Sequence, residues 1–287
     1  MKWTDFRADE RKKIDLKDYP TAPDKKTKEE KDSYIEKTAK NLEKIAALQE
    51  RLYADGREGM IIVLQAMDAA GKDSTIKHVL SSLNPQGVDV YSFKAPNSTE
   101  LSHDYLHRVT ACLPPRGKIA IFNRSHYEDV LVVKVHQINK SYHMPDKLKG
   151  NDIFEKRYRQ IRHFEEYLHE NGLRMVKIFL NVSKDEQKAR FLERIDTPDK
   201  NWKFNAGDLK EREFFKDYQN AYEDAITETG TKAAPWYIVP ADKKWFTRYV
   251  VSEIVKHTLE QIDPQSPKLS DEDIQKLPEY KQMLENE

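Results

Sequence analysis

Five short apolar runs stand out along the chain: MIIVLQ (60–65), VDVYSF (88–93), KIAIFN (118–123), RMVKIFL (174–180) and PWYIVPA (235–241). Each is rich in β-branched or aromatic residues and too short for a helix, so each predicts a buried strand. Longer stretches with apolar residues at helical spacing separate them. Helices are expected over 72–83, Ser98 to Leu113, Tyr127 to His136, Asp152 to Asn171, 183–196, 207–228 and 243–261. The fourth of these sets Phe154, Tyr158, Ile161, Phe164 and Leu168 on one face. Upstream, 28–54 lacks Gly and Pro and places Ile35, Leu42, Ile45, Leu48 and Leu52 for an amphipathic helix, which could dock on the core or on another subunit. Residues 1–27 are polar, carry Pro20 and Pro23, and read as an irregular arm; the tail after Pro264 is polar, with a short last helix. Strands alternating with helices imply parallel pairing through crossover units, hence a three-layer α/β sandwich around a five-stranded parallel sheet. The expected organisation is an arm and helix over 1–58, a core over 59–262 and a tail over 263–287.

Composition narrows this picture in a few places. The 287 residues hold 49 Lys plus Arg against 49 Asp plus Glu, so any site for an anion must be a local concentration of charge. The single cysteine, Cys112, excludes an internal disulfide framework and a multi-cysteine metal site, and its setting in VTACL suits a small core residue. The start, MKWTDFRADERKK, has no apolar run of the kind a secretory leader carries. No stretch approaches the roughly 18 apolar residues of a membrane span. A cytoplasmic protein that engages neither membrane nor nucleic acid is expected.

The first strand leads into LQAMDAAGKDST (64–75), close to the phosphate-loop pattern G-x-x-x-x-G-K-[ST] with two parts changed. Ala66, just after Gln65, stands at the first glycine, and Asp73 stands where a hydroxyl would hold magnesium. The surroundings are right: a buried strand, a loop of small residues, then a helix whose N-terminal N–H groups and dipole suit a phosphate. Ala69, Ala70 and Gly71 let the backbone approach, Lys72 supplies a point charge, and Asp73 and Ser74 open the helix. A side chain at the first glycine position is acceptable only if the backbone angles there are ordinary. Asp68 offers a carboxylate inside the loop, and hard magnesium takes oxygen ligands, usually one or two carboxylates plus phosphates. The plainer alternative is a strand–turn–helix with a chance Gly-Lys.

The third strand, KIAIFN, runs into RSHYEDV. Asn123 occupies the strand end where an Asp often reaches the metal, and Arg124 follows at the carboxyl edge, where ligands of open α/β sheets gather. Glu128 and Asp129 could face a metal or merely suit a helix dipole; the dipole suits Asp129 better, and Glu128 stays open.

Together, Asp68-Ala69-Ala70-Gly71-Lys72 and Asn123-Arg124-Ser125-His126-Tyr127 resemble the polyphosphate kinase 2 family. A third segment, Ser183 to Gln187 with Arg190 to Arg194, Trp202-Lys203-Phe204 and Asp208-Leu209, looks like that family's lid, about 183–216. The resemblance runs from about residue 40 to 260. It implies a P-loop kinase-like fold with a helical lid, and magnesium-dependent (or manganese-dependent) phosphoryl transfer between inorganic polyphosphate and nucleoside mono- and diphosphates. The NRSHYED version with Glu128 is similar to class III, which accepts both. By position, the resemblance places Asp68 and the Asn123 strand end at the metal, Lys72, Arg124 and Lys203 on phosphates, and Glu128 toward the acceptor with an effect on nucleotide choice. It has Arg190 and Arg194 closing over the reacting phosphates. A homo-oligomer, dimer or tetramer, is expected.

Phosphoryl transfer needs two oxygens in line and stabilised charge on the moving group, which these residues are suited to supply. Arg190 and Arg194, four apart, share a helix face; ion pairs to Glu186 and Glu193 on a solvated helix are the alternative. The local basic excess across 134–163, Lys149, Arg157 and Arg159 above all, is the candidate polyphosphate groove, although charge runs are commonly solvated faces. His103 and His107 lack a third metal ligand nearby and suit a helix surface or core pair. His126 is a candidate phosphate contact, and Trp202, Trp236 and Trp245 are read as packing residues. Two rivals share the motifs: an ATP-dependent nucleotide kinase of the same fold, and a non-catalytic phosphate-loop module.

Overall fold

The run Gly59–Gln65 forms β1, buried along its whole length. Both neighbours run parallel to it. On one side lies β3 (Ile119–Asn123), with Met60 opposite Ile119 and Leu64 opposite Asn123. On the other lies β4 (Leu173–Asn181), with Gly59 opposite Leu173 and Gln65 opposite Phe179. Outside these pair β2 (Val88–Ser92) and β5 (Trp236–Pro240), also parallel, giving the order β2-β3-β1-β4-β5. Continuous apolar runs rather than alternation reflect this arrangement, since the central strands are covered on both faces. The structure is a computed structural model that describes residues 2–8, 10, 12–150 and 152–287.

The helices form two layers. In one, α1 (Lys31–Asp55) lies along α6 (Lys244–Ile262), joined by Asn41, whose amide donates to Ser252 Oγ at 3.0 Å while its oxygen accepts from Lys256 at 3.0 Å. The phosphate-loop helix α2 (Lys72–Val79) packs on α6 as well. In the other layer, α3 (Ile153–Glu170) packs on β4 and on α5 (Phe215–Thr229). Between β4 and α5 comes α4 (Lys184–Asp196), capped by Ser183 Oγ on the Glu186 N–H at 3.1 Å. Among the described residues no helix is long and apolar enough to cross a membrane.

Several expected elements come out differently. The helix predicted over Ser98 to Leu113 is two short pieces, Ser98–Leu101 and His107–Thr110. Ser102 Oγ accepts nothing from a continuing helix but donates to Thr99 O, and Asp104 Oδ1 takes the Leu106 N–H at 2.9 Å; local side-chain bonds thus compete with the helix. Tyr127 to His136 becomes a 3₁₀ stretch, His126–Val130, followed by Val132–Val135. The stretch 207–228 breaks at a 3₁₀ turn, Arg212–Phe214, that leads into α5. The arm is irregular but tied down: Ala8 N donates to Trp236 O at 2.9 Å beside an antiparallel bridge from Arg7 to Tyr237, and Phe6, Ile14 and Leu16 are buried. It covers an edge that β5 would otherwise expose. The last helix, α7 (Asp271–Glu285), has 15 residues, is longer than expected, and buries none of them.

Candidate active site

Parallel pairing brings the ends of β1 and β3 side by side, so the loop after Gln65 and the turn after Asn123 meet. The loop needs left-handed backbone at two places, Ala69 at φ 58° and Gly71 at φ 110°. Ala66 is not among the positive-φ residues, so it can stand where a glycine is usual. Arg190, on α4, braces the loop from behind. Its Nη1 donates to Ala69 O at 3.0 Å and Ala70 O at 2.6 Å, its Nη2 to Ala241 O at 2.6 Å, and its Nε to Glu186 at 3.0 Å. Gln187 adds a bond to Asp68 O at 2.9 Å. Lys72 Nζ lies against the Ala66 carbonyl at 2.8 Å. Desolvation pulls its pKa below the ordinary lysine value, against the opposing field of Asp68.

Across the loop, Arg124 adopts φ 64° and pairs with Asp68 at 2.8 Å. Asn123 donates its amide to Asp73 Oδ1 at 2.8 Å. Two clefts meet at the Asp68–Arg124 pair, which lines both. The larger, about 570 Å³, collects Ala69, Gly71, Lys72, Asp73, Ser74, Asn123, Arg190, Arg194 and Lys203. The smaller, about 340 Å³, is lined by Glu128, Leu131, Val132, Asp208, Phe215, Tyr218 and Tyr222. Desolvation raises the Glu128 pKa above the usual carboxylate value, with Arg124 and Lys72 opposing. Desolvation, reinforced by Asp68, likewise raises that of Asp208.

Most of the residues singled out by sequence therefore converge, but with changed positions in some cases. Arg190 is buried and bonded to loop carbonyls, so it supports the loop instead of standing free above the phosphates. Arg194 is the looser of the two, with contacts of 3.3 Å to Lys203 O and 3.4 Å to Asp208. Lys149, Arg157 and Arg159 do not line the cleft around Lys72. Arg157 is buried, donates to Asp129 O at 2.6 Å and sits over the rings of Tyr105 and Tyr142; Lys149 pairs with Asp146 at 2.9 Å; Arg159 is exposed. Of these only Arg157 lines a cavity, one of about 580 Å³ shared with Lys156, Tyr105 and Tyr142 and distinct from the cleft around Lys72. Asp129 is occupied by Tyr142 and Arg157. His126 is buried beside Tyr127 and Phe164, away from both clefts. His103 and His107 stack at 3.9 Å. Trp236 is core and Trp245 packs on Phe246, whereas Trp202 is 79% exposed and is not a packing residue.

The basic wall of the larger cleft includes residues that motif reading passed over: Lys94 just after β2, Lys200 in the lid and Lys244 at the start of α6. For Lys94 and Lys244, a place shortly beyond the carboxyl end of a strand is the signal in the sequence; Lys200 has none of that kind. As for a metal, Asp68 and Asp73 present two carboxylates to the phosphate cleft. That donor set fits magnesium, which takes one or two carboxylates and is completed by substrate phosphates and water. Among the described residues no group of three or more His, Cys, Asp or Glu forms an all-protein cage.

Comparison with known proteins agrees with this geometry. Residues 28–267 match the family model described as polyphosphate kinase 2. The chain is 47% identical, over 99% of both chains, to an ADP-polyphosphate phosphotransferase of Rhodopseudomonas palustris. It is 49% identical to an AMP/ADP-polyphosphate phosphotransferase of Meiothermus ruber, over 78% of this chain and 80% of that one. The crystal structure of polyphosphate kinase 2 from Arthrobacter aurescens TC1 superposes with a TM-score of 0.76 at 40% identity, covering 81% of this chain and 80% of that one. The parallel sheet, the loop at its centre and these similarities together establish that the chain belongs to the polyphosphate kinase 2 family.

Proposed function

We propose that the protein transfers a phosphoryl group from inorganic polyphosphate to nucleoside mono- and diphosphates, converting AMP to ADP and ADP to ATP, with magnesium. The observation that carries this reading is the meeting of two chemically different clefts at Asp68 and Arg124. The larger is walled by Lys72, Lys94, Arg194, Lys200, Lys203 and Lys244, which suits a chain of phosphates. The smaller combines tyrosines and aliphatic side chains with a few carboxylates, which suits a nucleotide with its base covered and its phosphates directed at Arg124. A phosphoryl group then passes from one cleft to the other, in line, past the loop N–H groups, Lys72 and Arg124. Asp68 and Asp73 would hold the magnesium, Asp73 being oriented by Asn123; the ion would supply positive charge to offset that of the phosphates.

Acceptance of both mono- and diphosphates is supported by the Meiothermus ruber relative, named for AMP and ADP; the Rhodopseudomonas palustris relative is named for ADP alone. The test is direct. AMP or ADP is supplied with magnesium and polyphosphate, without ATP, and nucleotides are followed by chromatography. ADP and ATP are expected from AMP, and ATP from ADP. Absence of product, with activity restored by ATP as donor, would turn the reading into that of an ATP-dependent kinase. Unaltered function in Asp68→Ala and Lys72→Ala would instead indicate a binding module.

A further inference from the structure

Gln65, the residue just before the phosphate-loop pattern begins, is fully buried at the carboxyl end of β1. A buried amide is costly unless its donors and acceptor are met. The partners assign its orientation: with the nitrogen toward Glu128 it donates to Glu128 Oε1 at 3.0 Å, and its oxygen accepts from Ser125 N and Ser125 Oγ, each at 3.1 Å. The opposite orientation would set the amide oxygen against a carboxylate and its nitrogen against an N–H. One side chain of the first strand thus fastens both ends of the turn 125–128.

That turn needs fastening. It opens with Arg124 in left-handed backbone, a conformation that costs energy for a residue with a side chain and persists where surrounding contacts enforce it. Glu128 lines the smaller cleft, where Arg124 and Lys72 attract its carboxylate and Asp68 repels it. Without a donor on its other side, Glu128 would be drawn toward the cations that are needed for phosphates. A glycine at position 65 could offer no such donor.

We propose that Gln65 is a positioning residue that holds the Glu128 carboxylate in the acceptor cleft, so that this amide sets nucleotide binding rather than phosphate-chain binding. This rests on the reading of the smaller cleft as the nucleotide site. The experiment measures KM for ADP and for polyphosphate separately, with kcat and thermal midpoint, in Gln65→Leu, Gln65→Glu, Glu128→Gln and the reciprocal double variant Gln65→Glu/Glu128→Gln. Gln65→Leu is expected to raise the ADP KM about tenfold, near the low end for loss of a hydrogen bond to a charged group, while the polyphosphate KM stays within about twofold. Gln65→Glu, which sets two carboxylates together, is expected to do worse. The double variant restores an amide–carboxylate pair and is expected to recover about tenfold over Gln65→Glu alone. An unchanged ADP KM in Gln65→Leu, an equal rise in both KM values, or a double variant no better than the product of its singles would overturn the proposal. If Gln65→Leu fails to fold, the recovery in the double variant decides alone. An inactive wild-type enzyme with polyphosphate would instead defeat the functional reading, so the two failures are separable.

Discussion

At the scale of single residues, the two lid arginines do different work although four positions and one helix face relate them. Arg190 is 6% exposed and satisfies three carbonyls of two loops, those of Ala69, Ala70 and Ala241. Its removal strands buried acceptors, each of which costs about 1–3 kcal/mol. Arg190→Ala is therefore expected to lower the melting temperature by roughly 6–12 °C for a loss of about 3 kcal/mol, the low end for three acceptors, and to lower activity with it. Arg194 has only long contacts and a place over the Phe191 ring. Arg194→Ala is expected to keep the melting temperature within about 2 °C yet reduce kcat by about 10³-fold, as loss of a transition-state arginine does. Calorimetry and steady-state kinetics on the two variants check both statements; similar melting losses in the pair would refute the division. The linear motif made Asp68, Lys72 and Arg124 legible in the sequence, because loop and strand end each carry their chemistry within a few residues. The brace at Arg190 and the bond from Gln65 were not legible, because their partners lie far along the chain and only the folded backbone brings them within reach.

At the scale of elements, the site rests on a polar cluster buried where the 3₁₀ stretch His126–Val130, α3, β4 and α5 meet. Lys177 on β4 and Glu165 on α3 are both fully buried and pair at 2.5 Å. Lys177 also donates to Thr229 O at 2.8 Å and to Tyr127 OH at 3.0 Å, and Tyr127 OH donates to Glu165 at 2.8 Å. Tyr127 adjoins Glu128, so the cluster anchors the 3₁₀ stretch that carries the acceptor-side carboxylate. Such a pair offers little net stability against apolar packing, but removing one partner leaves a buried charge uncompensated. Lys177→Met is expected to cost about 3–5 kcal/mol, and the double variant Lys177→Met/Glu165→Leu to recover part of it, as measured by urea unfolding. A single variant no less stable than the double would contradict this account. The strands were read from apolar runs with boundaries close to those observed, since burial on two faces leaves an unbroken signature. The helices near the site were overextended by the same reading. Asn97, Ser102 and Asp104 bond to nearby backbone, and the resulting turns interrupt the helix in ways that apolar spacing does not encode.

At the scale of the whole molecule, equal numbers of acidic and basic residues conceal an uneven distribution. The phosphate cleft draws Lys94 from beyond β2, Lys203 from the lid and Lys244 from α6, segments separated by more than a hundred residues at the extremes, while its acidic lining is confined to Asp68, Asp73 and Glu193. A low-dielectric concave wall of one sign focuses its field on a polyanion, and the effect weakens as salt screens it over a Debye length of about 10 Å at 0.1 M. A neutral nucleotide base in the smaller cleft gains little from that field. The polyphosphate KM is thus expected to climb steeply between about 50 and 300 mM salt while the ADP KM changes by less than about threefold, by analogy with counterion release from other polyanions. Lys94→Ala/Lys203→Ala/Lys244→Ala is expected to raise the low-salt polyphosphate KM by about 10–100-fold and to flatten its salt dependence, because fewer cations then replace condensed counterions. The corresponding triple change at Lys149, Arg157 and Arg159 is expected to leave the salt slope intact, since those side chains lie outside the cleft. Kinetics across a salt series in the two triple variants separates the alternatives: a slope carried by the α3 residues would move the polyphosphate path from the strand ends to the flank of the molecule.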